Sequence, residues 1–174
     1  AEIEKVAKFL KYDDYQIAFE GDKYHLKLDQ VPQLELISAI EGDRSVSIDK
    51  VKPNIILFPQ ITSYNQDHKA CAQAAFAACR QGLAAFKHPP EIVLSYEEAA
   101  DFWSQEKLNL ANFFVTLSKN QFQKKILALK LYKTQFRGNT HPRSAKVLES
   151  LAHFRGSIAG AEFAEAFFCY KITS

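Results

Sequence analysis

Cysteine, glycine and proline are scarce in this chain, and long uncharged runs are missing from it. The three cysteines, Cys71, Cys79 and Cys169, are odd in number in a chain of 174 residues. A chain of that size does not need covalent staples, so a disulfide framework is not expected and a reducing compartment fits. No apolar stretch approaches 18 residues, which argues against a membrane-spanning helix. The first residues show no basic region followed by an apolar run; no signal peptide is expected, and the expected location is cytoplasmic. Only six Gly and six Pro imply short connections and a well-packed chain.

Recognisable chemistry is also scarce. Gly-rich phosphate loops, Gly-x-Ser-x-Gly and His-Glu-x-x-His do not occur, so none of the hydrolase or nucleotide-binding motifs with a fixed spacing applies. A ribonucleoprotein octamer, a Gly-x-x-Gly clamp and zinc-finger spacings are equally missing. His68, Cys71 and Cys79 lie along one helical stretch, where a single helix cannot wrap a tetrahedral metal. They read as small packed residues, and no metal or cofactor is expected. Glu97, Glu98, Asp101 and Glu106 read as the acidic first turns of a helix, favoured by its dipole.

What the chain does have is apolar mass and an uneven charge. With 47% hydrophobic and 13% aromatic residues it can bury a substantial core within one domain. The fold expected is α+β and mainly helical: an N-terminal helix, a β-hairpin and short strands packed on about five helices. A mixed lobe over residues 1–62 precedes a helical lobe over 63–174.

Helical spacing over Glu2–Lys11 predicts the first helix. Alternation on both sides of Gly21-Asp22 predicts a hairpin across Tyr15–Leu28. A short helix is expected over Val31–Ile40, and extended segments over Ser45–Ile48 and Asn54–Phe58. A long Ala-rich helix follows over 65–86, with a seam of small residues that lets another helix approach closely. Ser95 and Glu98 read as a capping box that starts another helix; Leu108–Leu117 reads as helical too. Two more helices are expected, over Asn120–Phe136 and from Pro142 onward, the latter continuing past Gly156 and Gly160 into Ala161–Tyr170 or kinking there.

Almost all the positive excess lies in residues 119–155, which hold nine bases against the single acid Glu149, net +8, while the whole chain carries +2. The compensating acids lie at the front, where residues 1–50 are net −4. On a wheel of about 100° per residue, Phe122, Ile126, Leu129, Tyr132 and Phe136 fall on one arc and Leu127 and Leu131 on the other side. Such a helix has apolar seams on two sides with cations between them. In the next helix Val147, Leu151, Phe154 and Ile158 share a face, with Arg143 and Lys146 along its edge.

Cations beside aromatic rings suit a polyanion, because phosphates are neutralised and bases stacked without regard to sequence. The function expected is therefore a non-enzymatic, nucleic-acid-binding protein of packaging or coat type. It would hold single-stranded RNA through Lys124, Lys125, Lys130, Lys133, Arg137, Arg143, Lys146 and Arg155, with Tyr132, Phe136 and His141 as stacking groups. The acidic front and basic back also suit a homo-oligomer. The alternative is a protein-interaction module (adaptor, inhibitor or effector) that docks an acidic partner.

Overall fold

The structure, a computed structural model, describes residues 1–42, 44–82, 87–103, 111–138 and 140–173. It is an α+β fold of six α-helices and a mixed four-stranded sheet among those residues. The strands are β1 (Ile55–Pro59), β2 (Ile92–Tyr96), β3 (Phe113–Leu117) and β4 (Phe163–Ile172), in the order β1-β2-β4-β3. β1 runs parallel to β2, and β2 antiparallel to β4. The chain divides into two compact units, Ala1–Tyr15 with Asn112–Ala166, and Gln16–Ala111 with Phe167–Ser174.

In the first unit, α1 (Glu2–Leu10) buries Val6 and Ala7 and stops at Lys11, whose φ of 60° is left-handed. It packs on α5 (Lys119–Leu131), a helix opened by a capping box in which Ser118 and Gln121 bond each other's backbone amides. α6 (Ala145–Ala159) starts at Ser144, whose hydroxyl accepts from the Val147 amide at 3.3 Å. Phe122 of α5, Ala152 of α6 and Phe163 of β4 form the buried centre. There the Phe122 and Phe163 rings stack at 4.7 Å, almost parallel.

The second unit holds α2 (Gln33–Glu41), α3 (Ile48–Val51), β1, α4 (Gln66–Ala78) and β2. Its core joins Ile48, Phe58 and Val93 to Ala72, Ala75 and Ala78 of α4, with Ile37 and Ile40 of α2 packed against them. The small-residue seam on α4 does admit a second helix, α2. β1 is the terminal strand of the sheet, and Ile55 and Leu57 on its outward side are more than half exposed.

Several expected elements are replaced. The hairpin does not form: residues 15–27 are turns and bends, followed by a 3-10 turn at Leu28–Gln30. The amides of Leu26 and Leu28, which a hairpin ladder would use, donate instead to the Asp67 carboxylate at 2.7 and 2.9 Å. Leu26 is left-handed at φ 54°, which a strand does not allow. Ser45–Ile48 is not a strand but leads into α3.

The helix expected from Ser95 is also replaced, since Ser95 is a fully buried residue of β2 and only a 3-10 turn, Ala99–Trp103, follows. Phe113–Leu117 is β3 rather than helix; residues 104–110, which include part of that expected helix, lie outside the described residues. The helix expected over 65–86 ends at Ala78, and residues 83–86 lie outside the described ones. Beyond Gly160 the chain turns into β4 instead of continuing α6, because Gly160 takes φ 71° and closes the helix with a bond to Gly156.

Candidate functional site

β1, α4 and β2 form one βαβ unit, in which Ile55 to Pro59 pair with Ile92 to Tyr96 in register. Sites in α/β sheets gather outside the carboxyl ends of parallel strands, where the loops are free to carry chemistry. Here the loop after β1 leads to Ser63 and Asn65, and the loop after β2 carries Glu98 and Asp101. The Asn65 side chain caps α4 by accepting from the amides of Asp67 and His68 at 3.0 and 3.3 Å. That cap fixes the first turn of α4 and hence the imidazole of His68. Asp67, beside it, is occupied in holding Leu26 and Leu28.

His68 Nδ1 lies 2.8 Å from Oε1 of Glu98, an ion pair when the ring is protonated. The neighbouring Glu98 carboxylate raises the His68 pKa; burial works against it, and the charges of Asp101 and Asp67 add to the rise. Asp101 is raised as well, mainly by burial, while the bond from Ser63 pulls it down and the charge of Glu98 pushes it up. Ser63 Oγ donates to Asp101 Oδ1 at 3.0 Å, and Oδ2 is buried without a hydrogen-bond partner among the described residues. Burial pushes Tyr96, at the end of β2, upward, with help from the charges of Glu98 and Asp101.

The result is an imidazole biased toward its cationic form next to a carboxylate biased toward its neutral form. Each feels the other's charge. Groups whose environments push them to different protonation states are the usual basis for acid and base roles. Among the described residues no three of His, Cys, Asp and Glu are grouped so as to hold a metal ion.

The whole chain has a solved counterpart. It matches the crystal structure of the conserved protein TT1542 from Thermus thermophilus with a TM-score of 0.69 at 19% identity, over 99% of this chain and 73% of that one. The likeness is one of fold. No family model and no curated protein matches the chain.

The cations expected to bind phosphate all fall in the first unit, on α5, on α6 and in the segment joining them. Lys124, Lys130, Lys133, Arg137 and Lys146 are exposed, and Lys124 stands 6.0 Å above the Phe9 ring. Others are engaged: Lys125 pairs with Glu165, Arg143 donates to Gln135, and Arg155 lies 5.1 Å over Phe154. Of the stacking candidates, Tyr132 and Phe136 are half-buried at the end of α5, and His141 Nδ1 accepts from the Arg143 amide at 3.0 Å. The freest ring in the region is Phe154, 57% exposed, although its spacing reads as part of a packed seam.

His68, Glu98 and Asp101 are individually visible in the sequence, but nothing there brings them together. The one usable signal is an apolar run, Asn54–Phe58, followed by an Asn that caps a helix carrying a His in its first turn.

Proposed function

We propose that the chain is an enzyme acting on a small polar substrate by acid–base catalysis, with hydrolysis as the reaction class. The observation that supports it is the His68–Glu98 pair beside the unpartnered, buried oxygen of Asp101, at the carboxyl ends of two parallel strands. His68, with Nδ1 against Glu98, has Nε2 available to protonate a leaving group. Asp101, anchored by Ser63 through Oδ1, has Oδ2 available to accept a proton from water. Glu98 keeps His68 cationic. The three free cysteines suit a reducing, cytoplasmic setting. No helix among the described residues is long and apolar enough to cross a membrane.

The test is hydrolysis of a panel of chromogenic esters, amides and glycosides by the full chain. His68→Gln is expected to lower kcat about 10²–10⁴-fold, the usual worth of a positioned acid, without changing the circular dichroism. The sign of the pH effect follows from the raised pKa of His68. An acid works while protonated, so activity falls as pH rises through that pKa. Glu98→Gln removes the charge that raises it, and the basic limb of the kcat/KM profile moves to lower pH. Turnover unchanged in His68→Gln would sink the assignment.

A second reading, sequence-tolerant RNA binding by the first unit, is favoured by the exposure of Lys124, Lys130, Lys133, Arg137 and Lys146 together with the open ring of Phe154. Affinity for unstructured RNA should fall steeply with salt. The double substitution Arg137→Glu, Arg143→Glu should abolish it; a folded double variant that binds as before removes these residues from the interface.

A further inference from the structure

The second unit contains a cavity of about 390 Å³ that the His68 site does not use. Phe19, Leu36, Ile40, Ile48 and Ile56 give it apolar walls, and few polar groups reach it. Those few are informative. Ser47 is 6% exposed, its hydroxyl has no hydrogen-bond partner among the described residues, and it lines the cavity. It occupies the N-cap position of α3, where a serine hydroxyl normally accepts from the helix amides, yet it makes no such bond. A buried hydroxyl left unpaired carries a desolvation penalty that a ligand atom would remove.

Arg44 lines the same cavity, with its guanidinium 6.0 Å from the Phe19 ring centroid and no ion pair among the described residues. Gln16, the other polar group on the wall, is already committed, its Oε1 accepting from Ser45 Oγ and the Val46 amide at 3.1 Å each. An apolar chamber with one unpaired cation and one unpaired hydroxyl matches the general form of a small-molecule site, in which a few polar groups orient a mostly apolar ligand.

We propose that this cavity binds an anionic amphiphile, a monocarboxylate with an apolar body. The carboxylate would pair with Arg44 and accept from Ser47, and the body would lie against Phe19, Leu36, Ile40 and Ile56. A body of about eight carbons suits the lower end of the ~300–1,000 Å³ range of ligand pockets.

Octanoate and octanol are the probes, titrated into the isotopically labelled full chain and followed by amide chemical shifts. Octanoate is expected to shift the amides of Phe19, Ala39, Ser47 and Ile48. Arg44→Gln, a change at a partly exposed position, should weaken octanoate at least 10-fold and alter octanol less than 2-fold. Ser47→Ala should weaken octanoate by a smaller factor. The proposal is overturned if octanoate does not bind at millimolar concentration. It is overturned equally if Arg44→Gln binds both probes as the parent does, or if the shifts fall around Phe154 and Ile158, which would mark surface adsorption.

Discussion

Phe163→Ala is expected to cost about 3–5 kcal/mol of stability, the usual range for truncating a fully buried Phe. Phe163 is 3% exposed and enters β4 directly under α5 and α6. Its ring stacks on Phe122 at 4.7 Å and meets His153 at 4.4 Å. Ala152, Leu117 and Ile126 complete the cluster, so one side chain joins two strands and two helices. Truncation removes the ring's contacts on every side, and the flanking strand and helices hold the void open. Urea denaturation of the variant and parent, read by tyrosine fluorescence and circular dichroism, measures the difference. A loss below about 1 kcal/mol would mean that the cluster collapses onto the gap and is less rigid than its stacking implies.

The second large effect is expected at Gly156. This residue lies inside α6, and the turn leading to β4 folds directly over it. A Cβ placed there would stand 2.6 Å from the carbonyl oxygens of both Ala161 and Glu162. Both obstacles are backbone, and neither can rotate away. Those same residues are tied in place, since the Ala161 amide donates to Gly156 O at 2.9 Å and Glu162 O lies 3.0 Å from His153 Nδ1.

An alanine is normally the better helix former by about 1 kcal/mol, so a helix-propensity argument predicts that Gly156→Ala stabilises. Steric overlap reverses the sign. The expected result is destabilisation of about 2–3 kcal/mol, within the range for overpacking a tight site. Gly160→Ala provides the comparison: nothing lies within 4 Å of its added Cβ, and only its φ of 71° resists the change. Its cost should be smaller, about 1 kcal/mol. Thermal denaturation of the two single variants orders them, and the reverse order would contradict this account of the turn.

The helices with a clear apolar stripe are legible in the sequence. Glu2–Leu10 and Gln33–Glu41 appear where their spacing puts them, and α5 begins at its capping box. The strands are harder to read. Phe113-Phe114-Val115 and Phe163–Tyr170 are largely apolar runs, and such runs have no period that separates a buried strand from a buried helix.

The hairpin fails for a different reason. Its alternation is real, but the competing acceptor, Asp67, lies about forty residues downstream, and local pattern cannot weigh a distant carboxylate. The candidate site is hidden by the same kind of separation. His68 and Glu98 sit thirty residues apart and meet only because β1 and β2 lie side by side. The basic surface, by contrast, is legible from composition, as is its placement on α5 and α6. Which of its rings are free is not, since Phe154 is open and Tyr132 half-buried.

The outer side of β1 bears on how the protein behaves in a test tube. A terminal strand offers backbone amides and carbonyls to any extended segment that approaches. Ile55 and Leu57 make the approach attractive, since both are more than half exposed. The strand carries no charged residue of its own, and Pro59 at its far end is its single interruption. Refolding at high concentration therefore competes with intermolecular strand addition at this edge. Placing lysine at position 55 or 57 would install the charge that such edges ordinarily carry. Yield on refolding should rise with it, while the core beneath Phe58 is left untouched.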